Sequence, residues 1–245
     1  VYEDHLGYAT FGVGHLVIES DEEHGKPVGT PVSEERVTGC FNKDIDTVCE
    51  ELDRNLPLML ETLLNIPDNI LLNTDISFDI ALVSSIDHEA LENLLNHFGW
   101  HLIKLIKNKE KLIFRNRSCT VNIHYNSFAE VLNSSDILLC MAGTAVEQAV
   151  GLAKPVVQLP GSGPQFTESF AEAQRRLLGP TVFCAKTSFA KKDLLQETAK
   201  LIIYLINKVQ ADKSLNYQCK REASRRLGSA GGTRRITESI NQLIN

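Results

Sequence analysis

Residues 136–167 read DILLCMAGTAVEQAVGLAKPVVQLPGSGPQFT, and the types and spacing of the glycines, hydroxyls and amides describe an anion-binding turn followed by a polar loop. The apolar run 136–141 suits a fully buried parallel strand, and Ala142-Gly143-Thr144 breaks it directly before a segment of helical period. Gly143 thus stands at a strand-to-helix corner. The first N–H groups of a helix have no partner within it and carry the positive end of its dipole, so phosphate or another anion is stabilised there. Thr144 is placed to cap that helix and to offer a hydroxyl. The helix, 145–153, ends on a Lys-Pro pair, and Pro155 opens a second strand, 155–159. Pro160-Gly161-Ser162-Gly163-Pro164 is incompatible with regular structure. Gly161 and Gly163 permit close backbone approach to a ligand at the carboxyl end of the strand, where open α/β sheets bind. In the same loop Gln165 can set an amide on a sugar hydroxyl, and Phe166 a ring against a sugar's apolar face.

Regular elements must hold these groups in place. Residues 78–84, 101–106 and 120–124 read as strands, 112–115 as one arm of a hairpin, and 87–98 and 127–132 as helices, the first with Asp87 near its start. Beyond the loop, 167–178 is a helix stopped by Gly179-Pro180, 181–185 a last short strand, and 191–209, 214–227 and 233–244 are helices. Strands alternating with helices predict an α/β fold, a half-Rossmann and mostly parallel sheet flanked by helices. Upstream, VYEDHLGYATFGVGH alternates apolar residues with glycines at 7, 12 and 14, which suits a tight, twisted hairpin. Ser33-Glu34-Glu35-Arg36 is a capped helix start. Two arrangements are open for the chain beyond it: one helix over 34–64 broken at Pro57, or a separate apolar helix beginning near Leu56.

The segments GTAVEQAVGLAKP and PGSGPQFT carry a resemblance that extends over about residues 56–245. They resemble the C-terminal domain of two-domain (GT-B) glycosyltransferases, in particular cyanobacterial proteins of the lipid-A-disaccharide synthase-related type. The resemblance implies a UDP-sugar donor site, with the diphosphate over the Gly143-Thr144 helix start and the uridine and ribose held by the helix and nearby loops. It also implies hexosyl transfer to a glycolipid or other glycan acceptor. Many relatives hold the ribose hydroxyls with a glutamate seven residues before the proline; here that position is Gln148, preceded by Glu147. The acceptor-binding half of that fold is not among these 245 residues, so donor binding without turnover is the expectation.

The pattern D-x-x-G-x-x-T-x-G-x-G-H, met by Asp4, Gly7, Thr10, Gly12, Gly14 and His15, resembles the first lobe of phage-type lysozymes up to about Pro57. That resemblance assigns Asp4 to charge stabilisation or water positioning at the sugar carbon and Thr10 to the water-side hydroxyl. Hydrolysis needs a second, protonated carboxyl group across the scissile bond, and the family's general-acid glutamate lies further upstream than Val1. The expected organisation is a truncated lysozyme-like lobe, 1–57, followed by a nucleotide-sugar-binding domain, 58–245. Two other classes compete with the transferase: a lysozyme-type glycoside hydrolase of peptidoglycan, and a non-catalytic, chimeric fusion fragment.

Composition bounds these readings. A net charge of −6 with 23% charged residues argues against a general nucleic-acid binder, and the basic cluster 221–235 reads as a solvated helix face. Six cysteines without C-x-x-C spacing predict a reducing compartment, the cytoplasm. The sequence shows neither a signal-peptide pattern nor an apolar run approaching the roughly 20 residues that span a bilayer. A protein that is soluble or peripheral at a membrane is expected. No metal site is expected from the seven histidines, and no cofactor is implied.

Overall fold

The computed structural model describes residues 1–3, 9–11, 15–83, 86–106, 111–141, 143–161, 167–185, 191–211, 213–228 and 231–244. The chain divides into two compact units, Val1–Asp53 and Arg54–Asn245. In the first, β1 (Tyr2–Glu3), β2 (Ala9–Phe11) and β3 (His15–Leu16) form an antiparallel sheet in the order β1-β2-β3, with Tyr2 opposite Thr10 and Thr10 opposite Leu16. Antiparallel pairing of the kind a hairpin makes is therefore present there, with a third strand added, while the expected turns at 4–8 and 12–14 lie outside the described residues. Ser33 Oγ accepts from the Arg36 N–H at 3.2 Å and caps α1 (Glu34–Leu64). The Arg36 guanidinium reaches Asp21 at 2.9 Å and Glu23 at 3.0 Å, and holds the Glu23 carboxyl below the usual carboxylate range.

Of the two arrangements open at Pro57, the single helix is the one formed, with Pro57 inside it. Proline has no N–H for the carbonyl four residues back, here Asp53, and the division between the units falls at that residue. The junction expected at 57/58 therefore lies within α1.

The second unit continues through α2 (Asp68–Asn73), β4 (Phe78–Leu82), α3 (His88–His97), β5 (His101–Ile106), β6 (Lys111–Asn116), β7 (Cys119–Tyr125) and α4 (Phe128–Ser134). Then come β8 (Leu138–Cys140), α5 (Thr144–Gly151), β9 (Val156–Gln158), α6 (Glu168–Leu178) and β10 (Val182–Cys184). Three helices close the chain: α7 (Lys191–Ala211), α8 (Lys213–Leu227) and α9 (Gly232–Ile244). The protein is thus mixed α/β.

The sheet departs from the expected single, mostly parallel form. Strands β4-β7-β6-β5 make one sheet in which β4 and β7 are parallel and the other two pairs antiparallel; β8, β9 and β10 make a second, wholly parallel sheet. Among the described residues no strand pairing joins the two. The reason is connection length. Between β6 and β7 only Arg117 and Ser118 intervene, with Arg117 at φ 51°, and a parallel crossover needs a dozen residues or more. The stretch expected as one arm of a hairpin is accordingly a strand paired on both sides.

Period-2 alternation distributes the parallel sheet's side chains between two cores. Leu138, Cys140, Val156 and Val182 meet Val146, Ala149 and Val150 of α5 and Leu178 of α6. On the other face Leu139, Met141 and Leu159 meet Leu58 of α1 and Leu195 of α7. Cys119, Cys140 and Cys219 are buried free thiols, and burial pushes Cys119 and Cys140 up to about 12, so these act as small apolar side chains.

Candidate functional site

The parallel strands end at Cys140, Gln158 and Cys184, and are followed by Met141 and Gly143 after β8, Leu159–Gly161 after β9, and Ala185 after β10. Gly143 is the N-cap of α5, at φ 79° and ψ −152°, a conformation that a side chain would strain. A Cβ added there would meet no atom of the described residues within 4 Å, and among these residues the space beside the start of the helix is open. Thr144 is not the cap expected of it: it is exposed and is already the first helical residue, and no side chain caps α5. The helix also ends earlier than expected, at Gly151, because Ala153 turns into the left-handed region at φ 57°. Lys154 then donates to the carbonyls of Asn133, at 2.9 Å, and Ser135, complementing the carboxyl end of α4.

Glu147 and Gln148 are both exposed on α5. Gly161 is committed to packing. A Cβ there would stand 2.5 Å from Asn55 Oδ1 and 2.8 Å from Met141 Sδ, so the backbone approach its lack of side chain permits is to α1 and to the residue after β8 rather than to open space. Ser162, Gly163, Gln165 and Phe166 lie outside the described residues, as does Asp4. Thr10 is 4% exposed within β2, away from bulk water.

Two residues without any role in the sequence reading join the Gly143 turn to the neighbouring elements. Gln158, the fully buried last residue of β9, donates through Nε2 to Gln174 Oε1 of α6 at 2.6 Å. Gln174 in turn donates through Nε2 to the Gly143 carbonyl at 3.2 Å, which also accepts the N–H of Val146 at 3.0 Å. Gln158 Oε1 has no hydrogen-bond partner among the described residues. A buried amide relay thus fixes the N-cap of α5 against α6, whose own cap Thr167 ends the second glycine loop. One signal was available: a lone amide inside the apolar strand VVQLP needs a buried partner.

A second polar cluster occupies the mixed sheet. Asp79 of β4 accepts from Ser77 Oγ at 2.6 Å and Asn122 Nδ2 at 3.1 Å, and lies 2.6 Å from His124 Nε2. Burial pushes the Asp79 carboxyl up, but the hydrogen bonds from Ser77, His124 and Asn122 outweigh it and hold the group below its ordinary value. Ser77 bonds the carboxylate and not the imidazole, so these residues do not form a hydrolytic triad. Among the described residues no group of three His, Cys, Asp or Glu could hold a metal ion. None of their helices is long and apolar enough to cross a membrane. Comparison with family models, curated proteins and solved structures finds no match to this chain.

Proposed function

We propose that residues 58–245 form the nucleotide-sugar-binding half of a GT-B glycosyltransferase of the lipid-A-disaccharide synthase-related type. The donor is a UDP-sugar, whose hexosyl group goes to a glycolipid or other glycan acceptor. The observation that carries this reading is Gly143: a positive-φ N-cap with space beside it that is open among the described residues, at the carboxyl end of a parallel strand and at the start of α5. Backbone N–H groups and the helix dipole there stabilise a diphosphate without a metal or a charged side chain. Gln148 and Glu147 are the candidates for the ribose hydroxyls, and Gln165 and Phe166 for the sugar. Gly163 and Ser162 belong to the same loop. In the reaction an acceptor hydroxyl oxygen forms the new bond to the anomeric carbon and gives up its proton as the bond to the UDP oxygen breaks, helped by charge stabilisation of the leaving diphosphate.

The test is calorimetric titration of the folded chain with UDP and UDP-N-acetylglucosamine, repeated with Gly143→Val. Saturable binding weakened tenfold or more in the variant, at unchanged circular dichroism, is expected. A folded wild-type chain that binds neither ligand would overturn the proposal.

For the first unit, the three-stranded antiparallel sheet supports a lysozyme-like lobe, while the burial of Thr10 opposes a water-side role for its hydroxyl. No lysis of peptidoglycan is expected from these residues, and turbidity clearing by the purified chain would reverse that reading.

A further inference from the structure

Seven of the chain's 25 lysines and arginines lie between residues 213 and 235, against one of its 31 acids, Glu222. Glu222 is 1% exposed and turned to Arg221 and Arg226, at 3.3 and 3.5 Å. Arg226 is also engaged inward, donating to the carbonyls of Arg176 and Leu177 at the end of α6. The buried side of α8 is thus Leu215, Cys219, Glu222 and Ala223, and its outward side is basic. Lys213, Lys220, Arg221 and Arg225 lie exposed there around Tyr217, which is 70% exposed. In α9 Ile236 and Ile240 are 63% and 49% exposed, one turn apart on one stripe; exposed Arg235 comes directly before them, and Arg234 is paired with Glu238 at 2.7 Å.

Cationic side chains interleaved with exposed apolar ones match a particular kind of surface. A free anion or a nucleic acid satisfies the charges but leaves the isoleucines in water, whereas a bilayer offers anionic headgroups above hydrocarbon. Tyrosine prefers that same interfacial depth. The remainder of the chain holds the excess negative charge, so an anionic surface attracts this segment and repels the rest. We propose that the outward face of α8, together with α9, docks the protein on an anionic lipid bilayer. Headgroups meet the Lys and Arg side chains, and Tyr217, Ile236 and Ile240 enter the interfacial layer. This docking does not depend on the nucleotide-sugar reading.

The experiment is flotation of the full chain with vesicles of phosphatidylcholine alone and of phosphatidylcholine mixed with phosphatidylglycerol. Two variants accompany it: Lys220→Ala with Arg225→Ala, and Ile236→Ser with Ile240→Ser, each checked by circular dichroism. Binding to the mixed vesicles only, weakened by salt, is expected. The charge pair should lower it by roughly fivefold per residue, and the isoleucine pair should lower it at unchanged charge. Three results would overturn the proposal: a folded chain that does not float with the mixed vesicles, equal binding to neutral ones, or flotation that neither variant changes. Loss in the charge pair alone, with tight binding of a single-stranded oligonucleotide, would equally replace the bilayer with a soluble polyanion.

Discussion

Gln174 shows how much a single buried amide organises. It sits at i+3 from Ala171 on the apolar side of α6, yet both its oxygen and its nitrogen are used, one by Gln158 and one by the Gly143 carbonyl. Replacing it with methionine leaves the Gln158 amide buried with nothing to donate to, and that asymmetry costs about 1–3 kcal/mol. Gln158→Met combined with Gln174→Met removes the orphan as well, so the double variant should be more stable than the single Gln174→Met. Urea melts of the three proteins test the order. Asp79 makes a pH-dependent contribution. Its carboxyl is held below its ordinary value when folded, so the stability it provides is present above the unfolded value and is lost as pH falls through the folded one. Asp79→Asn should cost about 1 kcal/mol at neutral pH and flatten the decline between pH 5 and 3, read from melts across that range.

Among the elements, α3 is set by the residue that caps it and β9 by the residues that follow it. Asp87 accepts from the N–H groups of Glu89 and Ala90, both at 3.0 Å, satisfying two donors that the helix cannot. Asp87→Ala should lower stability by about 1 kcal/mol and Asp87→Asn by less, as measured by thermal unfolding. Gly161 fixes how closely the turn after β9 approaches α1. With Asn55 Oδ1 and Met141 Sδ in the volume of a Cβ, Gly161→Ala forces them or the backbone aside, at about 1–3 kcal/mol. The same glycine in open space would tolerate alanine, so equal stability of Gly161→Ala and wild type would refute this packing. Local chemistry made α3 and β5 readable at nearly their observed bounds, because a cap and a β-rich run depend on neighbours in sequence. The end of α5 was misread because the left-handed turn at Ala153 has no side-chain signature.

At the scale of the whole chain, each unit carries its own buried side chains. Thr10 and Cys40 are buried in the first, and both apolar clusters that flank the parallel sheet belong to the second. Residues 54–245 alone should therefore unfold in a single calorimetric transition. A truncated chain lacking cooperative unfolding would show that this unit does not fold by itself.

By itself the sequence determined the alternation of strands and helices, the corner at Gly143, the helix through 167–178 and the apolar use of the cysteines, since each rests on periodicity or on the φ that one residue type allows. It did not determine how the strands divide. Whether β5, β6 and β7 return antiparallel depends on ladders formed after the chain folds back, and the two-residue turn at Arg117 favoured that return. Only the tertiary structure decided the roles of Gly161, which meets Asn55 from over a hundred residues away, and of Gln158, whose partner lies on another element. The physical reason is shared by both: the cost of a buried amide or an added Cβ is set by the atoms that fill the space around it, and those atoms are brought there by the fold.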